Sequence, residues 1–248
     1  WIQETSYGKA SVSYGYLYVG ALPSNITTWW QIMDYAVMEA DPFVDFTQYD
    51  GIIVFHPTTE DTLFYGGLGS VGKVPINTGD GLVNLYQTWI NNFWSGGEYM
   101  VIHEMGHNFG LMHATRFICG DYPNREAIGS YCDFAEYGDQ FDIMGTGFLS
   151  GKFGVRNKAI LGWINDENIV ETTDGIFFII PLNSDSTNTP KIHGIEIPIG
   201  WDLNYVQFPN SPGFYLFGVT DYYIEYRTSL SLVNGDSETY YGINLSDI

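Results

Sequence analysis

Basic residues are scarce in this chain. Lysine and arginine number 9 against 29 aspartates and glutamates, a formal net charge of −20 over 248 residues. A field of that sign repels phosphate backbones and anionic lipid. Nucleic acid is excluded as a partner class, because such binding rests on Lys and Arg meeting phosphates. Long hydrophobic runs are also missing. None approaches the ~20 residues of a membrane-spanning helix, and the longest, Ile176–Pro181, has the length of a buried strand. Charged residues of both signs reach only 15%, well under the roughly 25% of an average soluble domain. What replaces them is aromatic: 19 Tyr, 16 Phe and 7 Trp, a content that disordered chains do not carry. The length is room for one large or two modest folded domains.

Cysteine is nearly absent. Cys119 and Cys132 are the two in the chain, and the residues leave two readings open. They close a short loop as one disulfide, which suits an oxidising compartment, or they are two buried thiols. The triplets Asn25-Ile26-Thr27 and Asn244-Leu245-Ser246 fit the glycosylation pattern and lean towards a secreted, extracellular protein. The start at Trp1, with no basic leader, is read as a processed or trimmed terminus.

The β-prone stretch 7–19 predicts one or two strands. Pro23-Ser24-Asn25 signals a helix start, and Trp29, Trp30, Met33, Ala36, Val37 and Ala40 recur at helical spacing until Pro42. Gly51–Phe55 predicts a central strand, residues 66–81 an irregular edge strand, and Leu82–Asn92 a helix. Glu98–Phe109 predicts a second helix, stopped by Gly110. Residues 113–150 have little periodicity and read as a long loop region. Beyond it, Ile176–Pro181, Ile192–Ile199, Tyr215–Val219 and Tyr222–Arg227 predict short strands. The change of texture near 165–175 divides the chain into domains 1–168 and 169–248. The second is expected to be β-rich and sandwich-like.

Residues 103–113 read His-Glu-Met-Gly-His-Asn-Phe-Gly-Leu-Met-His and hold three of the chain's five histidines. On a helix, His103 and His107 lie one turn apart on the same face, within reach of one ion. Gly110 accepts the positive φ that ends a helix, so the chain can turn back and bring His113 in from a third side. Three nitrogen ligands with a fourth position open describe a catalytic Zn2+ site. Glu104 projects about 100° round the helix from His103, placed to serve as general base and then general acid. Asp139 and Asp142 are expected to bond loop backbone N–H groups, and His56 and His193 to be ordinary structure.

This spacing is the metzincin signature. In Tyr137-Gly138-Asp139-Gln140-Phe141-Asp142-Ile143-Met144-Gly145 the chain also resembles the turn that metzincins place beneath the metal, with Met144 as the Met-turn residue. Thr146 stands where some metzincins carry a tyrosine. The segments Ser6-Tyr7-Gly8-Lys9, 49–55, Gly67-Leu68-Gly69-Ser70-Val71-Gly72, Leu161-Gly162-Trp163-Ile164 and 223–227 resemble the gametolysin-type peptidases, secreted zinc endopeptidases of green-algal cell-wall lysis and of other microbes.

The resemblance implies an α+β fold. A twisted mixed β-sheet and an active-site helix would stand over an irregular lower subdomain, followed by the β-rich C-terminal domain. It implies protein or glycoprotein substrates lying extended along an edge strand, for which the segment with Ser70, Val71 and Gly72 is the candidate. A removable pro-segment, not in this chain, is expected with it. The alternative is a non-catalytic zinc-binding surface or matrix scaffold that keeps the metzincin fold.

Overall fold

A computed structural model of the chain describes residues 1–59, 65–91, 97–119, 132–146, 152–172, 174–182, 191–198, 221–227 and 242–245. The chain forms two compact units, one of residues 13–113 and one of residues 1–12 with 114–248.

A single helical turn, α1 (Ile2–Thr5), opens the chain. The strands predicted over residues 7–19 do not form. Alternation makes a strand only where a neighbour buries one face, and here Tyr14, Tyr16 and Tyr18 all face solvent. Helix α2 (Trp29–Ala40) begins later than the Pro23–Asn25 signal, because those residues make a turn closed by Ile26 N–H donating to the Pro23 carbonyl. Its cap is Thr28, whose Oγ1 accepts from Gln31 N–H while the Gln31 side chain accepts from Thr28 N–H, a reciprocal capping box. Ile32, Met33, Ala36, Val37 and Ala40 are buried, the stripe that the spacing predicted.

Four strands form the sheet of this unit: β1 (Gly51–His56), β2 (Gly67–Gly69), β3 (Val74–Thr78) and β4 (Gly81–Asn91). The long β4 is its spine. β1 pairs with it in parallel along one side, while β3 and then β2 pair with it antiparallel. Residues 82–92 do not form a helix; nearly all of them are β4. Helices cover both faces of this strand, so its apolar residues lose the period-two pattern that would have marked it. β1 is not central: β4 is its one partner among the described residues, and Phe55 is 59% exposed.

On the α2 side, Leu85 and Trp89 join Ile32, Met33, Val37, Ala40, Phe46 and Ile76 in one core. Burying a side chain of the size of Leu85 or Trp89 stabilises by roughly 2–3 kcal/mol. The Trp89 indole N–H is satisfied by the Trp29 carbonyl at 2.7 Å. The opposite face receives helix α3 (Gly97–Asn108), one residue offset from the predicted 98–109.

In the other unit, part of the stretch read as loop is a hairpin, β5 (Arg116–Cys119) with β6 (Cys132–Ala135). Asp139 and Asp142 bond backbone N–H groups as expected: Asp139 accepts from Phe141, and Asp142 from Met144 and Gly154. After α4 (Val155–Ile160) come β7 (Ile169–Glu171), β8 (Gly194–Pro198), β9 (Asp221–Arg227) and β10 (Gly242–Leu245), in the order β10-β9-β8-β7 with β7 parallel to β8. The described residues there form a single mixed sheet, and no second sheet faces it among them. The run at 176–181 is not a buried strand: Ile176 and Phe178 are 94% and 90% exposed, and a lone bridge joins Ile179 to Ile192. Tyr215–Val219 lies outside the described residues. The architecture is α+β with mixed sheets. No helix among the described residues is long and apolar enough to cross a membrane.

Candidate metal centre

The buried residues of helix α3 are His103, Glu104, Gly106, His107 and Asn108, and polar contacts fix its C-terminal end. Asn108, buried against the sheet, accepts from Thr88 Oγ1 at 2.7 Å and donates from Nδ2 to the Ser70 and Gln87 carbonyls at 2.9 and 3.1 Å. One side chain thereby ties the last turn of α3 to β4 and to the residue after β2. No sequence pattern pointed to Asn108, since an Asn beside a histidine in a helix carries no periodic signal. Immediately beyond it, Gly110 adopts φ +94°. Its N–H donates to the His107 carbonyl and that of Leu111 to Gly106, closing the helix. Leu111, 1% exposed, anchors the reversal.

The reversal brings His113 back to the helix. The ring centroids of His103 and His107 are 5.1 Å apart, of His103 and His113 5.5 Å, and of His107 and His113 4.8 Å. One nitrogen from each ring lies within 4.8 Å of the others. His103 and His107 are buried and His113 half-buried. The Nδ1 of His107 is 2.8 Å from the Leu111 carbonyl, which accepts only, so Nδ1 carries the proton and Nε2 presents a lone pair. That Nε2 is 3.0 Å from Nε2 of His113. Two nitrogens each about 2.05 Å from a tetrahedral ion would be about 3.3 Å apart. That separation suits a hydrogen bond between the two rings or a cation shared by them, and the third imidazole nitrogen within 4.8 Å completes a donor set for the cation. The donor set fits zinc. Burial holds the His107 imidazole below its ordinary range, against the Leu111 carbonyl and with a smaller push from His113, which keeps the neutral, ligating form available.

Glu104 is buried at 5% exposure on the same helix. Burial pushes its carboxyl up to about 8, opposed in part by a hydrogen bond from the Gly69 N–H. A nearby divalent cation acts in the opposite direction, favouring the carboxylate.

The remaining predicted residues sit as follows. Ser70 N–H donates to Gln87, its carbonyl accepts from Asn108, and its Oγ donates to the Gly72 carbonyl. Val71 is exposed and Gly72 turns with φ +76°. Met144 belongs to the other compact unit, where it is fully buried and its carbonyl accepts from Ala114 N–H. Cys119 and Cys132 lie directly opposite each other in the β5–β6 register; their side chains are outside the described residues.

Three histidines on one helix and its reversal, with a buried glutamate between the first two in sequence, support a metzincin-type zinc metalloprotease. Residues 30–114 match the family described as Metallo-peptidase family M12B Reprolysin-like. The match takes in His103, Glu104, His107 and His113, covers roughly a third of the chain, and ends before Met144. Peptidases of that family use zinc, and the triad is positioned to bind it. No curated protein and no solved structure matches the chain.

Proposed function

We propose that the chain is a zinc-dependent endopeptidase of the gametolysin type, hydrolysing internal peptide bonds of extracellular proteins or glycoproteins. The observation that carries this reading is the convergence of His103, His107 and His113 within 4.8 Å, with the buried Glu104 carboxyl on the same helix.

His103, His107 and His113 would hold the ion. Bound there, zinc lowers the pKa of a water to about 7 and polarises an amide carbonyl. Glu104 takes the proton from the attacking water on a carboxylate oxygen and delivers it to the leaving amine nitrogen as the C–N bond breaks. The Gly69 N–H supports the ionised form that suits the first half of that cycle. The fixed tautomer of His107 supports ligation throughout.

Several elements of the reading are proposals drawn from the resemblance. The substrate lies extended beside the segment holding Ser70, Val71 and Gly72, and Met144 is the Met-turn residue. Domains divide at 168/169. A disulfide joins Cys119 to Cys132 in a secreted protein, and the protein matures by loss of a pro-segment.

The test compares zinc-loaded wild type with Glu104→Gln at equal zinc content on casein or gelatin. Chelator-sensitive cleavage by the wild type, abolished in the variant, is the expected result. A folded, mature, zinc-loaded wild type that cleaves nothing would favour the matrix scaffold instead.

A further inference from the structure

Strand β2 reads Gly67-Leu68-Gly69, and its alternation sorts the three residues by face. Leu68, opposite Trp89, packs against the core on the α2 side. Gly67, opposite Ile90, and Gly69, opposite Thr88, turn towards α3. A Cβ placed on Gly67 would stand 2.8 Å from both Cγ and Oε1 of Glu104, and 3.0 Å from Cγ of Met100 one turn earlier on α3. One placed on Gly69 would stand 2.5 Å from the Glu104 carbonyl oxygen and 3.1 Å from His107 Cβ. Carbon atoms in van der Waals contact keep ~3.5–4.0 Å, so neither site admits a side chain without displacing Glu104 or the helix that carries it.

The ladder adds a second, independent observation. Asn91 N–H donates to Gly66 and Ser70 N–H to Gln87. In an antiparallel pair these bonds alternate along the strand, so the N–H of Gly69 points away from β4, and it donates to the Glu104 carboxylate.

We propose that Gly67 and Gly69 are positioning residues for Glu104. Gly67 leaves the space that Cγ and Oε1 occupy. Gly69 lets the helix backbone approach and supplies the N–H that orients the carboxylate. The inference rests on Glu104 being the proton-transfer group and deepens that reading, since a bare strand then decides where the reacting carboxylate sits. It also gives the two glycines a reason beyond turn formation, for neither adopts positive φ.

The experiment is a cycle of four zinc-loaded proteins: wild type, Gly67→Ala, Glu104→Ala and the pair. Gly67→Ala is expected to lower the unfolding midpoint by roughly 3 °C or more while Glu104 is present, and to have a clearly smaller effect once Glu104 is truncated and the contact with Met100 alone remains. Its kcat is expected to fall by about 100-fold, the scale for an ångström of misplacement, with KM nearly unchanged and the zinc retained. Gly69→Ala meets helix backbone, so it destabilises both backgrounds alike. If Gly67→Ala does not fold, recovery of folding in the pair is the same result in stronger form. Equal losses in both Glu104 backgrounds, or a Gly67→Ala enzyme with wild-type kcat, would overturn the proposal. A wild type that holds zinc but cleaves no peptide would end the peptidase reading, and the stability cycle would still decide whether β2 seats Glu104.

Discussion

The Nδ1–H of His107 donates to the carbonyl of Leu111, four residues on and 2.8 Å away. This one bond joins the end of α3 to the reversal that returns His113, and it fixes which nitrogen of His107 faces the other two rings. A ligand whose second nitrogen is committed in this way keeps its ring orientation with or without the ion.

Removing that ligand removes the site. His107→Ala leaves two imidazoles, and zinc affinity is expected to fall at least ~100-fold, the upper range for loss of even an outer-shell partner. Competition with a chromophoric chelator measures it. Retention of wild-type affinity would mean that the ion binds elsewhere.

Asn108 holds the helix to the sheet through bonds to Thr88, Ser70 and Gln87. Asn108→Ala removes the acceptor of the buried Thr88 hydroxyl and a donor to the Ser70 carbonyl, an unpaired buried group costing about 1–3 kcal/mol, while the Gln87 carbonyl keeps the Ser70 N–H. Urea unfolding is expected to show a loss of that size or more, with zinc affinity reduced because the last turn of α3 is released. A loss below ~0.5 kcal/mol would contradict the tie, being the range of an ordinary surface substitution.

Gly110 sits at φ +94°, where a Cβ is strained. Gly110→Ala is expected to cost about 1 kcal/mol or more and to weaken zinc binding by moving His113. Stability and affinity measured together distinguish this from a purely local effect, which would lower the first and spare the second.

His56 supplies a pH dependence remote from the triad sequence. It is 3% exposed, its Nδ1 donates to the Pro57 carbonyl, and burial holds its pKa below the ordinary 6.5. The folded protein therefore takes up this proton less readily than the unfolded chain. Stability from neutral His56 is present above about pH 6.5 and is lost as pH falls through the lower folded value. His56→Gln is expected to flatten that acid limb in thermal unfolding. An unchanged slope would show that other groups govern it.

The parts of this protein legible in the sequence are those governed by short-range pattern. α2 and α3 followed from helical spacing, and the three histidines followed from their separation around Gly110. What the sequence hid depends on partners distant along the chain. β4 is covered on both faces, so Leu85, Gln87, Thr88 and Trp89 lost their alternation and read as helix. Tyr14, Tyr16 and Tyr18 alternate but find no strand to bury them. Asn108 owes its role to carbonyls of Ser70 and Gln87, and Gly67 and Gly69 owe theirs to Glu104 across the sheet–helix contact. No local rule contains those neighbours.

X-ray absorption at the zinc edge of the loaded protein tests the centre most directly. Three imidazole nitrogens and one light oxygen or nitrogen scatterer, all near ~2.0–2.1 Å, are expected. A sulfur scatterer near ~2.3 Å, or fewer than three imidazoles, would contradict a catalytic centre built from His103, His107 and His113.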